Sequence, residues 1–328
     1  MHSARQEAII IVPGQLPFEG RFFGADAGFS RYAGTERFEV GCGPCRCADR
    51  GMELFDRAKE REAFSDVFDI HYHLLYGVDD GPKAFEDSVA LAEASIEDGV
   101  THIACTPHSN DRYKFDPAVN QERRDRLQAH FGDRLTLGSG CDFHLSYENI
   151  ENLHKDPARY TINAKQYLLV EFPDFAISQN MAHTFFQMIS AGVIPIITHP
   201  ERNPTLMQEP GRMVEWLRLG CLVQVTAASL DGRFGNRSQA IARELIQKNW
   251  VHIIASDAHS VDRRGPSMTK AYRLLESEYG KETAERLCKI NTKAVYLGEP
   301  LPAQPEGVGL YEELNAPKKG FFSRLFGR

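Results

Sequence analysis

Asp69-Ile70-His71-Tyr72-His73-Leu74-Leu75-Tyr76-Gly77-Val78-Asp79-Asp80-Gly81-Pro82 follows the apolar pair Val67-Phe68 and precedes an amphipathic segment. That order reads as a strand end, a polar loop and a helix start. His71 and His73 stand two residues apart, so on an extended chain both imidazoles leave the same face. With Asp79 and Asp80 close behind, they begin a site for a borderline metal ion. A lone His-x-His is a weak motif, and a surface histidine pair beside an acidic turn fits it as well. Recurrence of the device downstream decides between the two.

From residue 66 onward, short apolar runs rich in β-branched residues alternate with helical segments. The runs are Val67–Ile70, Val100–Cys105, Leu135–Gly138, Tyr167–Phe172, Val193–Thr198, Leu222–Thr226 and Val251–Ala255. Phe85, Val89, Ala92 and Ile96 mark one face of a helix expected to open at Pro82 and stop at Gly99. Strand, helix, strand repeated in this way implies parallel pairing with right-handed crossovers. Seven such units make an α/β fold, with a (β/α)7 barrel favoured over an open sheet.

The strand ends carry the chemistry. The first is followed by His71 and His73, the second by His108, and the third by Asp142 and His144. The fourth bears Glu171, the fifth ends in His199 and Arg202, and the seventh ends in Asp257 and His259. The sixth, Val225-Thr226-Ala227, offers no ligand-type residue. In a parallel barrel all these ends open on one face, where active sites form. Satisfied core histidines and helix caps explain one or two such positions, not the set.

The bulk numbers exclude more than they assign. The chain has 328 residues, 42% hydrophobic and 25% charged, as expected of a soluble globular protein. A net charge of −7 disfavours a general nucleic-acid binder, which needs a basic face for phosphates. No apolar run approaches a membrane span, and no signal-peptide layout opens the chain. Seven scattered cysteines suit a reducing cytoplasm, and none is followed by arginine six positions later, as a cysteine-nucleophile phosphatase loop requires. Cys42-Gly43-Pro44-Cys45-Arg46-Cys47 has no second pair at a fitting distance and reads as incidental. Residues 1–65 read as a poorly ordered N-terminal extension, with Met52 an alternative start. Residues 66–300 read as the catalytic domain and 301–328 as a tail. The tail ends in Lys318-Lys319-Gly320-Phe321-Phe322-Ser323-Arg324-Leu325-Phe326-Gly327-Arg328, which reads as a disordered tail in preference to a weak membrane-docking segment of interleaved cations and aromatics, since one short segment binds marginally.

His71, His73, Asp80, His108, Asp142, Glu171, His199, Asp257 and His259 are nine N/O donors, more than one ion can use. Two or three divalent ions are implied, with Mn, Fe or Zn suited to mixed imidazole and carboxylate. Paired ions acidify a shared water and stabilise charge on the attacking and leaving oxygens of a phosphoester. Arg202 lies three residues past the fifth-strand ligand, and Arg263 and Arg264 lie four and five past the last. A guanidinium fork on that rim suits phosphoryl oxygens. Tyr76, Phe115, Phe143, Phe172 and Phe175 are candidates to stack on an aromatic leaving group.

Asp-Ile-His-x-His with Asp-Asp-Gly-Pro, then Thr-Pro-His, Glu-Phe, Thr-His-Pro-Glu-Arg and Ala-Ser-Asp-Ala-His, in this order, resemble the polymerase-and-histidinol-phosphatase (PHP) superfamily. Within it they are most similar to the bacterial manganese-dependent tyrosine phosphatases of capsular and exopolysaccharide synthesis. The resemblance runs from about residue 67 to about 298. It implies a distorted seven-stranded (β/α) barrel, a trinuclear centre with manganese as the first-choice metal, and the nine donors as ligands. It also implies Arg202 and Arg264 as phosphate-binding residues, with Arg263 open as the alternative to its neighbour. The implied reaction is hydrolysis of phosphotyrosine by a metal-bridging hydroxide, on a membrane-associated tyrosine kinase reached from the cytoplasm. His199 is a candidate general acid as well as a ligand. Asp142 stands where related enzymes often have Glu, with His144 a candidate to compensate. Two other readings share these ligands: a PHP phosphomonoesterase acting on histidinol phosphate or a sugar phosphate, and a non-enzymatic metal-stabilised binding domain.

Overall fold

The apolar runs become strands because β-branched and aromatic residues suit an extended chain buried on both faces. The computed structural model describes residues 66–174 and 177–311. In it the runs are β1 (Val67–Tyr72), β2 (Val100–Cys105), β4 (Thr136–Ser139), β6 (Tyr167–Glu171), β7 (Ile194–Thr198), β8 (Leu222–Thr226) and β9 (Ile253–Ala255). Two short strands were not expected: β3 (His108–Ser109) and β5 (Asp142–His144). All named pairings are parallel, in the order β1-β2-β4 in one sheet and β3-β5-β6-β7-β8-β9 in the other.

β3 and β5 are the continuations of β2 and β4 after a break. Pro107 follows β2 and has no amide to offer a ladder. Gly140 follows β4, where a Cβ would stand 2.9 Å from Thr106 Cγ2. Two successive strands therefore begin in one sheet and end in the other. The end of β1 is tied to the segment leaving β9: Tyr72 forms a parallel bridge with Ala258. His73 N donates to Ala258 O at 3.0 Å, and Asp257 N donates to His71 O at 2.9 Å.

The helices of seven or more residues are α1 (Phe85–Glu97), α2 (Pro117–Phe131), α3 (Tyr147–Lys155), α4 (Met181–Ser190), α5 (Met213–Leu219), α6 (Asn236–Gln247), α7 (Met268–Tyr279) and α8 (Asn291–Leu297). α1 starts later than its proline suggested: Asp87 Oδ2 accepts from Ala84 N at 3.0 Å and fixes the first turn there. α5 stops where Gly220 turns left-handed at φ 103°. Alternation along the strands divides the apolar residues. Leu169, Ile196, Ile253 and Ala255 join Phe68, Ile70 and Ala104 in a small inner core. Val170, Ile197, Val223 and Ile254 face the helices in a larger one.

The segment after Pro300 stays against the domain up to Leu310, which is buried. Val308 N donates to Lys248 O, and Trp250 Nε1 donates to Val308 O, both at 2.9 Å. The expected N-terminal extension with its cysteine cluster and Met52, Phe175, and the basic–aromatic end 318–328 lie outside the described residues. Among the described residues no helix is long and apolar enough to cross a membrane.

His252 links β8 to the C-terminal helices and gives stability a pH dependence. Its Nδ1 accepts from Val223 N at 3.2 Å and its carbonyl accepts from Asn291 Nδ2 at 2.8 Å. Burial, reinforced by Arg286, lowers its pKa to about 4. The unfolded chain then binds the proton more readily, so this contribution is complete above about pH 6.5 and is lost toward pH 4. Urea unfolding at pH 7.5 and pH 5 is expected to differ by on the order of 2 kcal/mol through this group. His252→Gln reduces the difference by that amount.

Candidate metal centre

The structure brings all nine sequence-read donors to one place, where they form four overlapping groups. These are His73, Asp80, His108 and His259; His71, Asp142 and His199; His71, His73 and Asp257; and His108, Asp142 and Glu171. Within each group the donor atoms lie within 4.8 Å of one another. His71 Nε2 is 3.5 Å from both Asp142 Oδ2 and Asp257 Oδ1, and His73 Nε2 is 3.4 Å from Asp257 Oδ1. His108 Nδ1 faces Asp142 at 3.1 Å and Glu171 at 3.4 Å, while Asp80 Oδ1 lies 3.2 Å from His259 Nε2. His199 Nε2 is 3.7 Å from Glu171 Oε1. The shorter arm of Asp142 therefore reaches both His71 and His108. His144 lies one strand position from this site, paired in register with Glu171, and joins none of the four groups.

The donor set fits divalent cations on an observation independent of spacing. Both carboxylate oxygens of Asp142, His108 Nδ1 and His259 Nε2 are sealed from solvent without a hydrogen-bond partner. Native proteins seldom leave such atoms unpaired, because each costs on the order of 1–3 kcal/mol. Cations between them remove that cost. Two of the nine donor residues also hold left-handed backbone that non-glycine residues avoid, His199 at φ 34° and Asp257 at φ 53°. Such strain persists where the surroundings fix it, and it clusters at functional sites.

The electrostatics show what the carboxylates demand. Burial alone would depress His71, yet Asp142 and Asp257 raise it to about 9. His73, buried beside His259 and His108, falls to about 3. Burial would raise Asp142 and Asp257, but neighbouring cationic groups hold both well below the usual carboxylate range. The carboxylates thus draw positive charge onto the imidazoles, whereas a ligand imidazole must be neutral.

A layer of carboxylates lies behind the nine donors. Asp79 Oδ2 lies 2.7 Å from His73 Nδ1 and accepts from His108 N at 3.2 Å, while its Oδ1 accepts from Gly81 N at 2.9 Å. Asp69 accepts from Ser256 N at 3.1 Å, and burial raises its pKa to about 6. Glu201, fully buried, accepts from Thr226 N at 3.0 Å and Ser229 Oγ at 2.6 Å, anchoring the loop that carries Arg202. Asp69 and Asp79 both belong to the opening stretch, Asp69 on the same period-two face as His71 and His73, and Glu201 stands between His199 and Arg202.

Arg202 and Arg264 both reach Asp257 Oδ2, Arg264 through Nη2 at 2.5 Å and Arg202 through Nη1. Arg202 also stacks on Phe234, 4.3 Å from its ring centroid. Arg263 is exposed, and its backbone N meets Ser260 Oγ at 3.3 Å. Of the adjacent pair, Arg264 faces the centre.

The family model described as "Capsular polysaccharide synthesis, CpsB/CapC" matches residues 67–296. The chain belongs to the CpsB/CapC family. Tyrosine-protein phosphatase YwqE of Bacillus subtilis is 33% identical over 220 residues, 66% of this chain and 86% of YwqE. Tyrosine-protein phosphatase CpsB of Streptococcus pneumoniae is 30% identical over 243 residues, 71% of this chain and 99% of CpsB. A solved structure from work on these two proteins, described there as unique metal-dependent tyrosine phosphatases, aligns with a TM-score of 0.69. It is 31% identical and covers 74% of this chain and 99% of its own.

One expectation for this CpsB/CapC chain is corrected. Phe143 and Phe172 are buried, Phe172 stacking on Trp216 at 5.1 Å, and Phe115 packs against Tyr160. Tyr76 lies against Phe85, with Arg123 over its ring. Among the described residues, Phe234, against Arg202, and Tyr113, against His108, do border the centre. Tyr113 lies near-parallel to His108, 6.0 Å between centroids.

Proposed function

We propose that this CpsB/CapC chain is a metal-dependent protein-tyrosine phosphatase. The observation that carries the reading is the convergence of nine imidazole and carboxylate donors with two arginines that share Asp257. His71, His73, Asp80, His108, Asp142, Glu171, His199, Asp257 and His259 would hold two or three divalent ions, manganese first. Ions bound there supply an acidified water for attack and positive charge for the phosphoryl oxygens.

The chain's own residues do the rest. Arg202 and Arg264, pinned on one side by Asp257, keep guanidinium N–H groups free for phosphoryl oxygens. Phe234 holds the plane of Arg202. His199 is kept well below the ordinary imidazole value by burial and by Arg202. His199 lies in one donor group with His71 and Asp142, which favours the ligand role over the general-acid one. Tyr113 and Phe234 border the space where that phenolate would leave.

The reading extends to what lies around the site. The two sheets form a distorted (β/α) barrel whose seam is the β1–Ala258 bridge, and residues 66–300 with the packed segment to Leu310 are the catalytic unit. Residues 1–65 are an extension. The substrate is a phosphotyrosine protein of the capsule or exopolysaccharide pathway, in the form of a membrane-associated tyrosine kinase. The enzyme works in the cytoplasm.

The test is hydrolysis of a phosphotyrosine peptide by the full chain, with histidinol phosphate as comparator. Activity is expected to require Mn²⁺ and to survive thiol-blocking reagents. Cys105, Cys141, Cys221 and Cys288 are all buried, and burial pushes Cys105 up to about 12. Loss of activity on thiol blocking, or preference for histidinol phosphate at equal concentration, would sink the proposal.

A further inference from the structure

The breaks that end β2 and β4 leave a concavity on the helix side of the sheet. A cavity of about 190 Å³ lies between these strand ends, α2 and the turn Pro157–Arg159. Its floor is buried: Leu75, Cys105 at the end of β2, and Gly140 just past β4. Its mouth is exposed, at Gln121, Ala158 and Arg159. None of the nine donors lines it, and neither does Arg202 or Arg264.

The lining is one-sided in charge. Arg124 and Arg159 contribute to it, and no carboxylate does. Arg124 donates from Nε and Nη2 to Asp125 Oδ1, at 3.1 and 2.8 Å, and Asp125 stands outside the cavity. Arg159 Nη2 donates to Phe115 O at 3.3 Å. Among the described residues, Nη1 of both arginines is left uncommitted. The charge of Arg124 is felt at the floor, where it offsets part of the rise to about 12 that burial imposes on Cys105. Asn120 is four residues before Arg124 on α2 and shares its face. Its Nδ2 is sealed from solvent without a hydrogen-bond partner, which native proteins seldom leave so.

Apolar side chains complete the wall, Phe115 and Pro117 beside Leu75. A dry apolar cavity of roughly 150 Å³ takes a benzene ring, so this one has room for a body of that size. Two guanidinium groups without an acid, next to an apolar wall, complement an organic anion. The planar forks suit a phosphate or carboxylate, and the wall suits its carbon body.

We infer that this cavity is a second ligand site, apart from the metal centre, for a small organic anion whose phosphate or carboxylate is held by Arg124 and Arg159. It goes beyond the phosphatase reading and does not depend on it. Cys105 and Gly140 stand three and two residues ahead of His108 and Asp142, and Asp142 N donates to Pro107 O at 3.1 Å. A ligand there rests against the segments that lead into two of the donors, not against the donors themselves.

The experiment is titration calorimetry on the full chain carrying Arg264→Ala, which weakens phosphate binding at the metal centre. The probes are phenylphosphonate, which has a ring and no ester to hydrolyse, benzoate as its carboxylate counterpart, and neutral benzyl alcohol. At least one anion is expected to bind with a Kd of about 1 mM or tighter, and the better of the two names the anionic group. Benzyl alcohol binds at least about tenfold more weakly. Adding Arg124→Gln and Arg159→Gln weakens the anion by about tenfold or more. Ala158→Trp, at an exposed position, closes the mouth while keeping both cations, and it has the same effect. The inference is overturned if neither anion binds, or if benzyl alcohol binds as tightly as they do. It is overturned equally if the arginine replacements or Ala158→Trp leave Kd within about twofold.

Discussion

Asp257→Asn is expected to lower kcat/KM for a phosphotyrosine peptide by about a thousandfold or more, the largest loss of any single substitution in this chain. The reason is the way one carboxylate serves two parts of the site. Its Oδ1 lies 3.5 Å from His71 Nε2, 3.4 Å from His73 Nε2 and 3.6 Å from His259 Nδ1. Its Oδ2 receives Arg202 and Arg264 together. Asparagine keeps the size and removes the charge, so two guanidinium groups lose their anchor while the histidines lose a shared anion. Leaving a buried charge unpaired costs about 3–5 kcal/mol, equivalent to two to four decades in rate if it falls on the transition state. Metal analysis beside the kinetics should show at least one ion lost. A variant with full metal content and activity within tenfold of wild type would show that Asp257 does not join the two parts.

Arg264→Ala should cost roughly a hundred- to a thousandfold in kcat/KM with Mn²⁺ content unchanged, in the range seen when a charge-stabilising donor is removed. Arg263→Ala should stay within about threefold of wild type. The contrast follows from the turn after β9. His259 N donates to Arg264 O at 2.8 Å, and Ser260 Oγ accepts from Arg264 N at 3.3 Å. A Cβ at Gly265 would come 2.7 Å from Val261 O, so the turn is held tight. Its closure sends Arg264 inward and leaves Arg263 at the surface. Arg264→Lys is expected to recover only part of the loss, because an ammonium lacks the planar fork. Equal losses at 263 and 264 would contradict the orientation.

The strands and the donors at their ends were legible because period-two alternation and a repeated position leave a mark in one dimension. The breaks were less visible. β3 has two residues and β5 three, too short for any periodic signal. The partners of the ligands were hidden for another reason: Gln224 is a single polar residue in an apolar strand, and its partner, His71 Nδ1 at 3.0 Å, is 153 positions away. The misplaced aromatic residues were within reach of the same alternation rule. Phe143 follows Asp142 and Phe172 follows Glu171, so if the acids point to the centre, the rings must point to the helices.

The two interrupted strands have a bearing on how such a centre can change over time. His108 and Asp142 stand just past the interruptions, and they are partners in the short β3–β5 ladder. Lengthening or shortening Thr106-Pro107 and Gly140-Cys141 together would slide this pair as a block, while the floor beneath, β1-β2-β4, kept its own register. Donor distances could then be retuned by natural variation at two hinge-like joints, with Cys141 and Phe143 the residues of the larger core that would have to refit.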